Sequence, residues 1–408
     1  MNPERRLFAA FPVEHDELLV GGVPVAHLAA RVGRTPFYAY DRGLIHARVQ
    51  KVREVLQGMF SLHYAVKANP MPALVAFMAG VVDGFDVASL GELRVALNAG
   101  MPSTEISFAG PGKRAEELEA AVAAGILINV ESLREIRLLE GISARLGYPA
   151  RVAVRVNPDF ELKASGMKMG GGPKQFGIDA EQVPEALAEI GRCGLAFEGF
   201  HIFSGSQNLR AAAICEAQNK AYELALRLAA YAPAPVKVLN LGGGFGIPYF
   251  AGDTALDLPA VAEAMAALAA RAQRELPAAR LVIELGRYLV GEAGIYVCRV
   301  LDRKVSRGET FLITDGGMHH HLAASGNFGQ VIRRNYPLCN GRRVYGAPRE
   351  TVNVVGPLCT PLDLLGDRVE LGRAEEGDLI VVAQSGAYGY TASPLRFLSH
   401  PEPVEVLA

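Results

Sequence analysis

From about residue 60 to residue 290 the sequence alternates between two textures, and that alternation constrains the fold more than any other feature. Short β-branched or aromatic runs end in small or polar residues: SLHYAVKA, GFDVAS, EISFAG, ILINVES, RVAVRVNP, FEGFHIFSG, VKVLNLGGG and RLVIELGR. Between them lie stretches rich in Ala, Leu, Glu and Arg with helical period, such as RAEELEAAVAAG and LPAVAEAMAALAARAQREL. Parallel strands need a crossover, usually a helix, so this alternation predicts an α/β fold with a parallel sheet. Eight repeats over about 230 residues fit a closed (β/α)8 TIM-like barrel better than an open sheet. Helix boundaries agree: Ser89 and Glu92 have the spacing of a capping box, and Gly100 and Gly125 stand where a helix ends in a left-handed residue.

After about residue 295 the long helical stretches stop. IYVCRVLDRKV, ETFLITDGG, TVNVVGPLC and RVELGRAEEGDLIVVAQSGAY read as short strands between turns, hence a C-terminal antiparallel β domain. The N-terminal DELLVGGVPVAHLAARVGRTPFYAY contains a strand pair and reads as part of the same sheet. A chain of 408 residues exceeds what one core supports, so two domains are expected: a barrel over 37–292, and a β domain made of 1–36 plus 293–408. GMKMGGGPKQFG (166–177) reads as a mobile Gly-rich loop between barrel elements.

Composition removes several functions. With 41 Lys and Arg against 43 Asp and Glu, no charge excess draws the chain to nucleic acid or an anionic membrane. No apolar run spans a bilayer, and the first residues lack the pattern of a signal peptide. The five scattered cysteines make no CxxC pair, which points away from disulfides and structural zinc and toward a cytoplasmic protein.

Chemistry in such a barrel collects at the C-terminal strand ends. Those ends carry Lys67, Asp86 with Ser89, Asn157, His201, Gly242-Gly243-Gly244, and Glu284 with Gly286 and Arg287. Lys67, closing an apolar strand, reads as a surface residue or as an amine nucleophile freed by desolvation at the barrel mouth. The glycine turn reads as a backbone necessity or as bare amides for a phosphate; it is a poor dinucleotide fingerprint, because the third glycine of GxGxxG falls on Ile247. Glu284, deep in an apolar strand, needs a cationic partner: Arg287, or the protonated nitrogen of a heterocycle. Cys359, in a Pro- and Asp-flanked loop, reads as a small buried hydrophobe or as a proton donor. Residues His319 to His321 cannot easily converge on one ion, and in a strand they would alternate faces, so no metal is expected.

Six ordered motifs together resemble one family. They are Tyr64-Ala65-Val66-Lys67-Ala68-Asn69, Phe85-Asp86-Val87-Ala88-Ser89 with Glu92, Gly242-Gly243-Gly244-Phe245-Gly246, Glu284-Leu285-Gly286-Arg287, Gly356-Pro357-Leu358-Cys359 with Asp363, and Gly386-Ala387-Tyr388-Gly389-Tyr390. The sequence resembles the fold-type III decarboxylases dependent on pyridoxal 5'-phosphate, which include diaminopimelate, ornithine and arginine decarboxylases. The resemblance implies a barrel plus a β domain, and a homodimer with active sites shared across the interface. It implies Lys67 as the lysine that takes the cofactor's aldehyde, His201 as the imidazole stacked on its ring, and Glu284 as the partner of its ring nitrogen. Asp86 falls in the cofactor site. Ser204 or Ser206, Gly243, Gly244, Gly286, Arg287 and Tyr388 fall in its phosphate cradle. Cys359 and Asp363 would reach in from a partner subunit, with Cys359 giving a proton to Cα.

Departures narrow the substrate. Diaminopimelate decarboxylases carry a glutamate after the motif cysteine, where this chain has Thr360. Asp315-Gly316-Gly317 leads into MHHHLAASGNFGQVIRRNYPL rather than the Arg- and Tyr-bearing segment of those enzymes, and HxGSQ is stretched to HIFSGSQ (201–207). These features resemble the subgroup that decarboxylates glutamate held on an acyl carrier protein, or that accompanies exosortase systems. Arg333-Arg334 and Arg342-Arg343 are candidate contacts for an acidic carrier. The alternatives are a decarboxylase of free diaminopimelate, ornithine or lysine, and a racemase-like enzyme, which would need a second base, usually tyrosine, where this chain offers Cys359.

Overall fold

The computed structural model describes residues 8–160, 167–168, 170–328, 330 and 332–408. They form two compact units: 49–247 with 255–286, and 1–48 with 248–254 and 287–408.

The first unit is a barrel of eight parallel strands in sequential order: β1 Ser61–Ala65, β2 Gly84–Val87, β3 Ile106–Phe108, β4 Leu127–Val130, β5 Arg151–Asn157, β6 Ala196–His201, β7 Val238–Gly243 and β8 Arg280–Leu285. It closes where β8 pairs with β1, Glu284 opposite His63. The helices cover the strands because their apolar positions recur at helical spacing: Val183–Arg192 buries Val183, Ala186, Leu187 and Ile190. Each such side chain stabilises by roughly 1.5–3 kcal/mol, with alanine at less. Half of the expected capping box forms: Ser89 Oγ accepts from the Glu92 amide at 3.1 Å, but Glu92 accepts from the amide of Ala88, one residue before the cap, at 2.7 Å. In β6 the register shifts between Phe197 and Gly199, where φ is +155° and a Cβ would fall 1.8 Å from the Val238 carbonyl oxygen. Only glycine passes that point, which sets the register of His201 two residues later. Of the Gly-rich segment 166–177, Gly166 and Met169 lie outside the described residues, while Met167–Lys168 pairs antiparallel with Gly205–Ser206.

The second unit is built on the 13-residue strand Gly294–Ser306. It pairs antiparallel with Phe37–Tyr40, Leu379–Val382 and Glu309–Thr314. Two pairings are parallel, Glu309–Thr314 with Arg349–Val355 and Val404–Leu407 with Phe37–Tyr40, so the sheet is mixed where the sequence suggested only antiparallel pairs. The boundary expected at residue 37 lies nearer 48, because Phe37–Tyr40 is hydrogen-bonded into this sheet. The N-terminal strands Val13–Glu14, Glu17–Val20 and Val23–Pro24 form a small sheet of their own. Phe37, Ala39, Ile295, Val297, Leu379 and Val381 anchor the core. Among the described residues no helix is long and apolar enough to cross a membrane.

Candidate active site

The barrel lumen has two levels. Near the N-terminal strand ends Leu127, Ala153, Val238 and Val282 form an apolar plug. Above it the inward positions are polar, unlike the branched aliphatics that usually fill such lumens. Ser107 Oγ donates to the Asp86 carboxylate, Asn129 Nδ2 donates to Ser107 Oγ at 3.2 Å, and His63 Nδ1 lies 3.4 Å from Asp86 Oδ2. A second cluster centres on Glu284, whose Oε2 accepts from Asn240 Nδ2 at 3.1 Å and lies 3.0 Å from His201 Nε2. Asn240 is oriented by the Gly242 amide, which donates to its Oδ1 at 2.8 Å.

Burial, at 6% exposure, would push the Glu284 carboxyl up. His201 beside it, and then the charges of Lys67 and Arg155, outweigh that and hold it well below the usual carboxylate range. Glu284 is therefore an anion at the C-terminal end of the lumen. Arg155 is fixed by Glu131, whose Oε1 lies 3.5 Å from Nη1, and by the face of Phe176 at 5.2 Å. Glu131 also accepts from the amides of Gly110 at 2.6 Å and Gly177 at 3.0 Å, and so ties two loops to that guanidinium.

Lys67, expected at the strand end, lies two residues past it, on the single turn Val66–Ala68 beyond β1. It is exposed, so the desolvation foreseen from the sequence is absent. Its Nζ sits 5.7 Å from the centre of the Phe203 ring, and its charge reaches both Glu284 and Glu92.

The small-residue turns meet closely. Gly244, at φ +71°, packs so that a Cβ would fall 2.1 Å from the Gly205 carbonyl oxygen, and the Asn208 amide donates to the Gly244 carbonyl at 3.0 Å. Ser204, Gly205, Gly243 and Gly244 line one cavity with Gln218 of the helix Ala211–Ala229. Ser206 Oγ and Gln218 Nε2 are buried without a hydrogen-bond partner. Gly286 packs against Ala65 and Ala68 beside the Lys67 turn, where a Cβ would come within 2.8 Å. An exposed amine, a buried carboxylate and a glycine-lined cradle bordered by the unpartnered Gln218 amide suit a ligand with an aldehyde, a basic ring nitrogen and a phosphate.

In the other unit, Arg287 Nη1 donates to Tyr249 Oη at 2.6 Å and its guanidinium stacks 4.7 Å from the centre of the Tyr388 ring. It does not pair with Glu284, which leaves that alternative unrealised. Cys359 is exposed, not buried, with Thr360 beside it. Asp363 does not reach outward: it is 3% exposed, and its carboxylate accepts from the Met318 amide at 2.6 Å and the Leu358 amide at 2.8 Å. Burial pushes its carboxyl up, against those two donors. The three histidines lie in a turn, not a strand, and all are buried. His321 Nε2 meets Ser385 Oγ at 2.9 Å, His320 Nε2 meets the Pro401 carbonyl at 3.0 Å, and burial pushes residues 319, 320 and 321 down to about 3, 4 and 3. Among the described residues no three His, Cys, Asp or Glu side chains are placed to hold a metal. Of the basic pairs, Arg334 is stacked 3.7 Å over Phe250 and lies 3.5 Å from Asp253, Arg333 donates to the Leu364 carbonyl and Arg343 to that of Arg373; Arg342 is exposed.

Sequence reasoning missed His63, Arg155, Glu131, Asn240 and Tyr249. The first four sit in or just after barrel strands at inward positions, so polar residues inside apolar runs were the available signal.

The sequence model of a family described as pyridoxal-dependent decarboxylase, pyridoxal binding domain, matches residues 42–291. The L-glutamyl-[BtrI acyl-carrier protein] decarboxylase of Niallia circulans is 39% identical over 91% of this chain and 88% of its own. The diaminopimelate decarboxylase of Aquifex aeolicus is 32% identical over 96% of this chain and 90% of its own. The crystal structure of diaminopimelate decarboxylase from M. jannaschi superposes with a TM-score of 0.88 at 26% identity, covering 98% of this chain and 93% of that one.

Proposed function

The chain belongs to the pyridoxal-dependent decarboxylases, and from that premise we propose that it removes the carboxyl group of an amino acid held as a carrier-protein thioester, glutamate first among candidates. It is a carboxy-lyase that uses pyridoxal 5'-phosphate. When bound, that group supplies an electron sink for the carbanion left by loss of CO2. One observation carries the reading: Glu284, buried at the mouth end of the lumen, has its Oε2 3.1 Å from Asn240 Nδ2 and 3.0 Å from His201 Nε2, a setting that favours the carboxylate. An anion there keeps a ring nitrogen protonated, which is what the sink requires. Asn240 and His201 orient the carboxylate. Lys67 supplies the amine for the aldehyde. Gly243, Gly244, Gly286 and Ser204 or Ser206 would hold the phosphate, with Arg287 and Tyr388 as its charged and aromatic partners. Asp86, engaged with Ser107 and His63, supports the lumen below.

The protein acts as a cytoplasmic homodimer in this reading. The exposed loop bearing Cys359, Thr360 and the 57% exposed Leu362 is offered to a partner subunit, where Cys359 delivers a proton to Cα. A carrier-bound glutamate is favoured by Thr360 in place of glutamate and by the relative that acts on one. Relatives acting on diaminopimelate support the second reading, a free amino acid. The test is CO2 release from carrier-loaded glutamate beside free glutamate, lysine, ornithine and diaminopimelate. Release from the loaded carrier alone supports the proposal. Release from a free diamino acid alone moves the assignment to the second reading, and inversion without CO2 makes the enzyme racemase-like.

A further inference from the structure

Arg155 stands opposite His201 where β5 pairs with β6, and it faces the lumen as Ala153 does two residues earlier. His201 Nε2 lies 3.0 Å from Glu284. The guanidinium therefore sits between two carboxylates, Glu131 just past β4 and Glu284 across the lumen, and its charge acts on Glu284 as well. Its side chain is 8% exposed, so its counter-charge has to come from the protein. What ties it to Glu131 is loose: Nη1 is 3.5 Å from Oε1, and the Phe176 ring lies 5.2 Å away. Glu131 itself is firmly placed. Its carboxylate accepts from the Gly110 and Gly177 amides, and its own amide donates to Glu135 Oε2 at 2.8 Å. Glu135 lies 3.1 Å from Lys113 Nζ, which donates to the Gly110 carbonyl at 2.6 Å. These bonds run from Gly110 through Glu131, Glu135 and Lys113 back to Gly110, a closed ring whose three charged members are buried.

We propose that Glu131 is a positioning residue that holds Arg155 off Glu284. It supplies the guanidinium's counter-charge from the loop side and leaves the Glu284 carboxylate to His201, Asn240 and a ligand. Without the charge of Glu131, the buried guanidinium turns to the other lumen anion and pairs with it, and Glu284 is then spent inside the protein. The consequence for turnover rests on the reading above that Glu284 serves a ring nitrogen. None of the motifs that carry the family resemblance contains Glu131 or Arg155.

Glu131→Gln keeps the volume and removes the charge. Crystals of the full chain, stripped of cofactor with hydroxylamine, should show Arg155 beside Glu131 in wild type and at about 2.8 Å from a Glu284 oxygen in the variant. In the loaded enzyme the variant should lower kcat about tenfold to a hundredfold and leave KM within about twofold, since a charge facing the reacting ring is lost and not a substrate contact. A double-mutant cycle gives an independent reading. In an Arg155→Gln background no guanidinium is left to move, so adding Glu131→Gln should cost no further kcat. The double variant holds no unpaired buried cation, and the comparison with Arg155→Gln stays open if Glu131→Gln alone does not fold. Arg155 on Glu284 in stripped wild type, Arg155 still beside position 131 in the variant, or a further kcat loss in the double variant each overturns the proposal. Arg155 on Glu284 in the variant with kcat unchanged upholds the restraint and overturns instead the reading of Glu284.

Discussion

Glu284 in the barrel and Asp363 in the β unit are both almost fully buried carboxylates, at 6% and 3% exposure, yet they are driven in opposite directions. Glu284 faces an imidazole, with a lysine and an arginine further off, and is held well below the usual range. Asp363 meets two backbone amides, and burial raises it. Cations make a buried carboxylate a fixed charge available to a ligand, whereas amides use it up as a fastener between loops. Gly317 and Gly356 press against Asp363 so closely that a Cβ on either would fall 2.0–2.3 Å from its oxygens, consistent with a fastener. The same contrast separates the units more widely. Lumen polar groups face one another inside the barrel, and those of the β unit close turns.

The contrast breaks most visibly at Lys67. Lys67→Ala should leave no cofactor fixed by borohydride and cut decarboxylation by about 10³-fold or more. Full-yield labelling of the variant, read by mass spectrometry, would sink the assignment. Glu284→Gln should follow, lowering kcat by on the order of a hundredfold while the protein stays folded. The sign of its pH dependence is fixed: a carboxyl depressed in the folded state adds stability above its unfolded value, lost as pH falls through the folded one. For Asp363, raised in the folded state, the contribution is present below the unfolded value and lost as pH rises through the folded one. Urea midpoints between pH 3 and 6 should therefore fall less steeply on the acid side in Glu284→Gln than in wild type, and Asp363→Asn should lose a contribution of opposite sign. Identical profiles for both variants would erase the distinction.

Lys67 and Glu284 drew notice in the sequence because each is a charged residue at or next to the end of an apolar run. The barrel was legible because its period is local and repeated. Asp363 has partners that no spacing encodes: motif order places it near Cys359, but the Met318 and Leu358 amides that it accepts from are set by loop packing. Tyr249 was invisible for the same reason, since its value depends on Arg287, 38 residues away. The parallel pairing of Val404–Leu407 with Phe37–Tyr40 joins the two ends of the chain, beyond the reach of local pattern.

Sharing of sites between subunits is tested next. Cys359→Ala should slow turnover roughly tenfold to a hundredfold with cofactor affinity unchanged. Mixing it with Lys67→Ala after reversible dissociation should restore about a quarter of wild-type activity, because random reassortment gives half heterodimers with one intact site each. A mixture no more active than its parents would confine Cys359 to its own subunit.

The smallest effect concerns the barrel mouth, where a structural device and a charged site overlap. Ser89 caps the helix Leu90–Asn98, and Glu92 accepts from the Ala88 amide while also lying within reach of the Lys67 charge. Burial raises the Glu92 carboxyl, and the Ala88 amide and Lys67 oppose that. Ser89→Ala removes one acceptor and should cost about 1 kcal/mol in thermal or urea unfolding. Because the hydroxyl meets only the Glu92 amide among the described residues, cofactor affinity should not move. A cap variant that loosened the cofactor as well would mean that fasteners and site charges are not separable in this barrel, and the contrast between Glu284 and Asp363 would then describe two residues and not two regions.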